Sequence, residues 1–85
     1  MKLWGKIIKQ GKTIKESKTE INGKDKTLTV LLEECLIDVC KQLDISVPLW
    51  LSKNTGEFIK FKKTYFLKEQ FIEDFKYDRF EIKVE

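Results

Sequence analysis

Catalysis needs side chains that move protons, hold metals or attack electrophilic centres, and this chain is short of them. It has no His, the commonest general acid–base and metal ligand near neutral pH. Its only thiols, Cys35 and Cys40, fall five residues apart in a segment with helical spacing. On a helix that offset puts their Cα atoms roughly 8–9 Å apart and about 140° around the axis. A disulfide needs Cα atoms within about 7 Å, so the two cannot bridge there. The spacing is not C-x-x-C, and with no His and no third Cys a zinc site lacks ligands. As a nucleophile either thiol would have to be activated by Lys or a carboxylate. Two buried structural thiols are the expectation, and they favour a reducing, cytoplasmic setting.

The remaining catalytic patterns are equally thin. Glu33/Glu34 and Glu73/Asp74 are adjacent in sequence, which aims the members of each pair in different directions on regular elements. The four glycines (5, 11, 23 and 56) are isolated, and no nucleophile elbow, phosphate-binding loop or dinucleotide fingerprint surrounds them. The sequence therefore predicts a non-enzymatic protein with no cofactor and no metal.

Binding chemistry is better represented. Lys60-Phe61-Lys62-Lys63-Thr64-Tyr65-Phe66-Leu67-Lys68 interleaves cations with aromatics, as a sheet that binds single-stranded nucleic acid does. Lys60, Lys62, Lys63, Tyr65 and Lys68 are the candidate contact residues. An ordinary amphipathic strand gives a similar pattern: Lys60, Lys62, Phe66 and Lys68 on one face, Phe61, Lys63, Tyr65 and Leu67 on the other. The stretch also lacks the flanking glycines of the RNA-recognition signature. Charge adds little. The 17 basic residues against 14 acidic give +3, and Arg79 is the sole Arg, whereas nucleic-acid readers commonly use Arg. The sequence pI is about 8.8, below the range of strongly basic nucleic-acid modules. The signs alternate in blocks: +5 over 1–27, −3 over 28–46, +4 over 47–68 and −3 over 69–85. Lys abounds while Ala is absent, which fits biased genomic composition.

A protein partner, or self-association, is the leading expectation. Ten aromatics in 85 residues is a high density, and one sheet with one helix need not cover both Trp4 and Trp50. An uncovered sheet face would be a partner surface. The plainer alternative has both tryptophans filling a small core.

These residues must be positioned by one small domain, since 85 residues leave no room for a second core. No apolar run approaches the roughly 18 residues that span a bilayer, and the first residues lead into no secretory h-region, so no membrane association is expected. Leu3–Lys9 and Lys12–Lys15 flank Gln10-Gly11 and predict a β-hairpin, with Lys9 facing Lys12 and Ile7 facing Ile14. That register sets Leu3, Ile7 and Ile14 against Trp4 and Ile8. The second strand runs on to Ile21 as a polar, Lys-rich edge.

Apolar residues at 28, 31, 32, 35, 36, 39 and 43 predict a helix over about 27–43, capped by Asp25 or Thr27 and closed by Ile45–Pro48. Two readings compete for 52–66. One is a Lys-Asn-Thr-Gly hairpin loop with Ile59, Phe61 and Tyr65 on a strand. The other, favoured, is a short helix capped by Ser52 with only Thr64–Phe66 as strand. Leu67–Phe71 is a connection containing a helical turn. Phe75–Val84 predicts a strand bulged at Asp78-Arg79. The fold class is α+β: a small antiparallel sheet, formed by the N-terminal hairpin and a C-terminal strand, packed on one main helix. Its expected core is Leu31, Leu32, Cys35, Leu36, Val39 and Leu43 against Ile7, Ile14, Phe61, Ile82 and Val84.

Overall fold

A computed structural model describes all residues, 1–85. The elements run β1 (Lys2–Lys9), β2 (Lys12–Glu20), α1 (Leu28–Leu43), α2 (Ser52–Phe61), β3 (Lys63–Leu67) and β4 (Arg79–Val84), with a 3-10 turn at Lys68–Gln70. The strands form one sheet in the order β2-β1-β4-β3, each neighbouring pair antiparallel. The expected α+β class is what forms: α1 lies against β1 and β2, and α2 stands beside β3.

The hairpin turns at Gln10-Gly11, both with positive φ (53° and 75°), as the tightest two-residue hairpins require. Lys9 faces Lys12 as expected, but Ile7 faces Lys15 and Ile8 faces Thr13. Ile14 is the extra residue of a β-bulge, so the expected Ile7–Ile14 pair does not form, and Ile14 is 44% exposed.

α1 begins where Thr27 accepts the Val30 N–H on its hydroxyl. It ends one residue after Leu43, where Asp44 turns left-handed (φ 58°) and the Ile45 N–H closes on the Cys40 carbonyl. This cap, four residues ahead of Pro48, is what stops the helix. α2 realises the favoured helical reading, with Leu51 rather than Ser52 at its cap position. It too ends on a left-handed residue, Lys62 (φ 59°), which lets β3 start at once.

The core joins Cys35, Leu36, Val39, Cys40 and Leu43 of α1 to Leu3 and Ile7 of β1, Phe80 and Ile82 of β4 and Phe66 of β3. Gly5 lies beneath α1: a Cβ there would overlap Val39 Cγ1 and come within 2.9 Å of Phe80 Cε1. Helix and sheet meet closely because this position carries no side chain.

Two expected core residues lie outside: Ile14, displaced by the bulge, and Phe61, 56% exposed at the last position of α2. Leu31, Leu32 and Val84 are half-buried. Phe75–Tyr77 is not strand, because β4 begins only at Arg79. Phe75 instead stacks face to face on Phe71, ring centroids 4.1 Å apart, and closes one end of the core.

Candidate binding face

Side chains alternate across a strand, so placing Leu3, Gly5, Ile7, Phe80 and Ile82 under α1 sends their neighbours to the opposite face. The register arranges that face in rows. One row runs Lys18–Trp4–Lys83–Lys63, the next Glu16–Lys6–Glu81–Tyr65, and the third Thr13–Ile8–Arg79–Leu67. Trp4 is half-buried and belongs to no part of the main core. Ile8 is buried but stays outside the core cluster, as its place on this second face requires.

No residue of α1 reaches this side. From Trp4 and Lys6 across β4 to β3 these rows floor an open groove of about 830 Å³, with Glu57 and Phe61 of α2 at its margin beyond β3. Asn54, fully buried, holds α2 in that position with all of its hydrogen-bonding capacity used. Its Oδ1 accepts from the Leu51 N–H (2.9 Å) and Gln70 Nε2 (3.0 Å). Its Nδ2 donates to Thr64 Oγ1 (2.8 Å) and to the Tyr65 carbonyl (3.0 Å). Thr64 Oγ1 in turn donates to Glu57 Oε1 at 2.6 Å, which fixes the carboxylate at the groove margin. A buried amide with four partners is stabilising where a partly satisfied one would be costly.

The electrostatics of the face are uneven. Lys2 pairs with Glu20 (3.5 Å), Lys18 with Glu85 (3.7 Å) and Arg79 with Glu81 (2.8 Å), all exposed pairs of small individual worth. Lys6, Lys63 and Lys83 have no carboxylate within 4.0 Å. Lys63 sits directly opposite Lys83, a like-charge cross-strand pair that destabilises a sheet. The ammonium groups of Lys6 and Lys18 both lie 4.3 Å from the Trp4 ring centroid. The indole N–H of Trp4 is buried and has no acceptor.

Of the residues singled out in sequence, Lys63 and Tyr65 are on this face and line the groove. Lys60 belongs to the last turn of α2, with its ammonium 5.3 Å from the Phe61 ring. Lys62 is the left-handed helix cap and Lys68 opens the 3-10 turn. The stretch 60–68 crosses three kinds of element, so the proposed face of Lys60, Lys62, Phe66 and Lys68 does not exist. Trp4, Lys6, Lys18 and Lys83 share the face but carry no local sequence signal as contact residues. Alternation with Leu3, Ile7 and Ile82 sets Trp4, Lys6 and Lys83 away from the core, and pairing with Trp4 brings Lys18 to the same side, but neither sets them beside Lys63. That neighbourhood follows from strand order, with β4 between β1 and β3.

The chemistry available elsewhere is limited. Cys35 and Cys40 are free and buried. Burial pushes the Cys40 thiol up to about 12, and burial also raises Cys35, opposed by the positive N-terminus. Both thiols are therefore protonated near neutral pH, a poor state for nucleophilic attack. No group of three Cys, Asp or Glu is placed to hold a metal ion, and no helix is long and apolar enough to cross a membrane. No protein-family model matches the chain, and neither curated proteins nor solved structures give a significant match.

Proposed function

We propose that the protein is a non-enzymatic interaction module of a reducing cytoplasm, and that it docks a protein partner on the open face of its sheet. The observation that carries this reading is the uncovered face itself. A domain of 85 residues has little apolar surface to bury, yet Trp4 stands on the side that neither helix covers. Aromatics beside a rim of paired charges are the usual composition of a protein-docking patch. The mixed signs of Lys2–Glu20, Lys18–Glu85 and Arg79–Glu81 suit a partner with charges of its own.

Single-stranded nucleic acid is the second reading, favoured by Lys6, Lys63 and Lys83 beside Tyr65 and Phe61. Two features weigh against it. Lysine ammonium groups already lie over the Trp4 and Tyr65 rings, where bases would stack, and Glu57 and Glu81 border the path of a phosphate backbone.

The test is site-specific photo-crosslinking in the native cell, with the photoreactive residue at Lys83 on the open face or at Glu33 on the exposed side of α1. The reading expects a discrete protein adduct from position 83 and none from position 33. An adduct of twice the chain's mass identifies the partner as a second copy. Equal labelling at both positions, or adducts with nucleic acid alone, contradicts the reading.

A further inference from the structure

The unrelieved charge on the open face specifies the partner's chemistry. Lys63 and Lys83 oppose each other with no carboxylate within 4.0 Å of either, and the row continues through Trp4 to Lys18, whose one carboxylate partner is the exposed Glu85 at 3.7 Å. Beside Trp4 on β1, Lys6 is equally without a carboxylate. The buried Trp4 indole N–H has no acceptor. One anionic oxygen between Lys63 and Lys83 would relieve their repulsion. A second, beside Trp4, would meet the Lys6 and Lys18 ammonium groups that lie over its ring. Resting on the protein-docking reading above, we propose that the occupant of this face is an acidic protein segment, with an Asp/Glu-x-Asp/Glu triplet extended across the strands along the row Lys63–Lys83–Trp4–Lys18.

The spacing supports a triplet. Neighbouring strands lie about 4.8 Å apart, so the midpoint of β3 and β4 is about 7 Å from β1. Alternate side chains of an extended segment are separated by about 6.8 Å. The first carboxylate then reaches the Lys63–Lys83 pair while the second stands over Trp4. Discrete carboxylates on a peptide also leave room for Glu81 and Glu57, which a continuous polyphosphate would have to pass.

The test follows the two indole N–H signals of isotope-labelled protein by NMR at low salt. The Trp50 N–H already donates to Thr55 Oγ1 at 2.8 Å and serves as the internal control. The probes are a ten-residue peptide alternating Glu and Ser, its Gln/Ser counterpart, and a ten-nucleotide oligothymidylate. The Glu/Ser peptide should shift the Trp4 N–H signal, through carboxylates drawn to the ammonium groups over its ring, and leave Trp50 in place, while the Gln/Ser peptide moves neither. Lys63→Gln and Lys83→Gln, both at exposed positions, should each weaken that binding roughly three- to fivefold. A silent Trp4 signal, unchanged affinity in both variants, or tighter binding of the oligonucleotide would overturn the acidic-segment proposal. If Trp4 is silent but position 83 still crosslinks to protein, only the partner's acidity is wrong. Silence in both experiments removes the docking reading as well.

Discussion

The two tryptophans occupy opposite kinds of environment. Trp50 packs against Phe58 and Phe66, each ring centroid 5.7 Å away, and its indole N–H is satisfied by Thr55. Trp4 stands on the far side of the sheet among lysines, and its N–H has no acceptor. The side of the sheet beneath α1 is closed by apolar contact, and the Asn54 network seals the flank beside it. The side bearing Trp4 carries a like-charge pair and an orphaned donor. The contrast separates what holds the fold together from what the fold presents.

The largest effect expected from breaking this contrast lies under α1. Leu36→Ala should cost about 2–5 kcal/mol, enough to unfold much of so small a domain. A denaturation midpoint implying a loss below about 1 kcal/mol would show that this side is not the stabilising one.

The buried thiols give a second, pH-dependent measure of the same side. Burial raises Cys40 from 9.0 to about 12, so the unfolded chain releases this proton at lower pH than the folded one. The stability due to its burial is complete below pH 9 and declines as pH rises towards 12. The slope from this thiol is at most about 1.4 kcal/mol per pH unit. Urea titrations between pH 8 and 11 should show a shallower decline in Cys40→Val than in the parent chain, and identical slopes would refute the assignment.

A smaller effect separates the tryptophans themselves. Trp50→Phe removes a satisfied hydrogen bond and should cost about 1 kcal/mol beyond any change in packing. Trp4→Phe removes a donor that has no partner and should cost less than that, the loss being confined to contact between the ring and the Lys6 and Lys18 ammonium groups. Equal losses in the two variants, measured by chemical denaturation, would erase the distinction between the faces.

How far the sequence discloses this arrangement depends on the range of the interaction. α1 is legible because seven apolar residues share one helical face and Thr27 can cap it. The Gln10-Gly11 turn is legible because few residues tolerate two successive positive φ values. The bulge at Ile14 is not, since a local pattern of alternation cannot register one extra residue. Phe61 reads as core in sequence because aromatics usually are. It lies outside because the left-handed cap at Lys62 ends α2 just after it, at the groove margin.

The candidate face is half legible for a similar reason. Lys63 and Tyr65 stood out through local interleaving, whereas Lys83 and Trp4 join them only through pairing of the first and last strands. Long-range strand order is written in no short window of sequence.

The central claim is that the open face keeps charges that serve binding at the expense of the fold. The direct measurement is the unfolding free energy of Lys83→Glu against the parent chain, at low and high salt. The substitution puts a carboxylate opposite Lys63 and beside Trp4, turning a repulsive pair into an attractive one. Lys83→Glu should gain about 0.5 kcal/mol at low salt, and the gain should shrink as salt is added. A loss of stability, or a gain indifferent to salt, would contradict it.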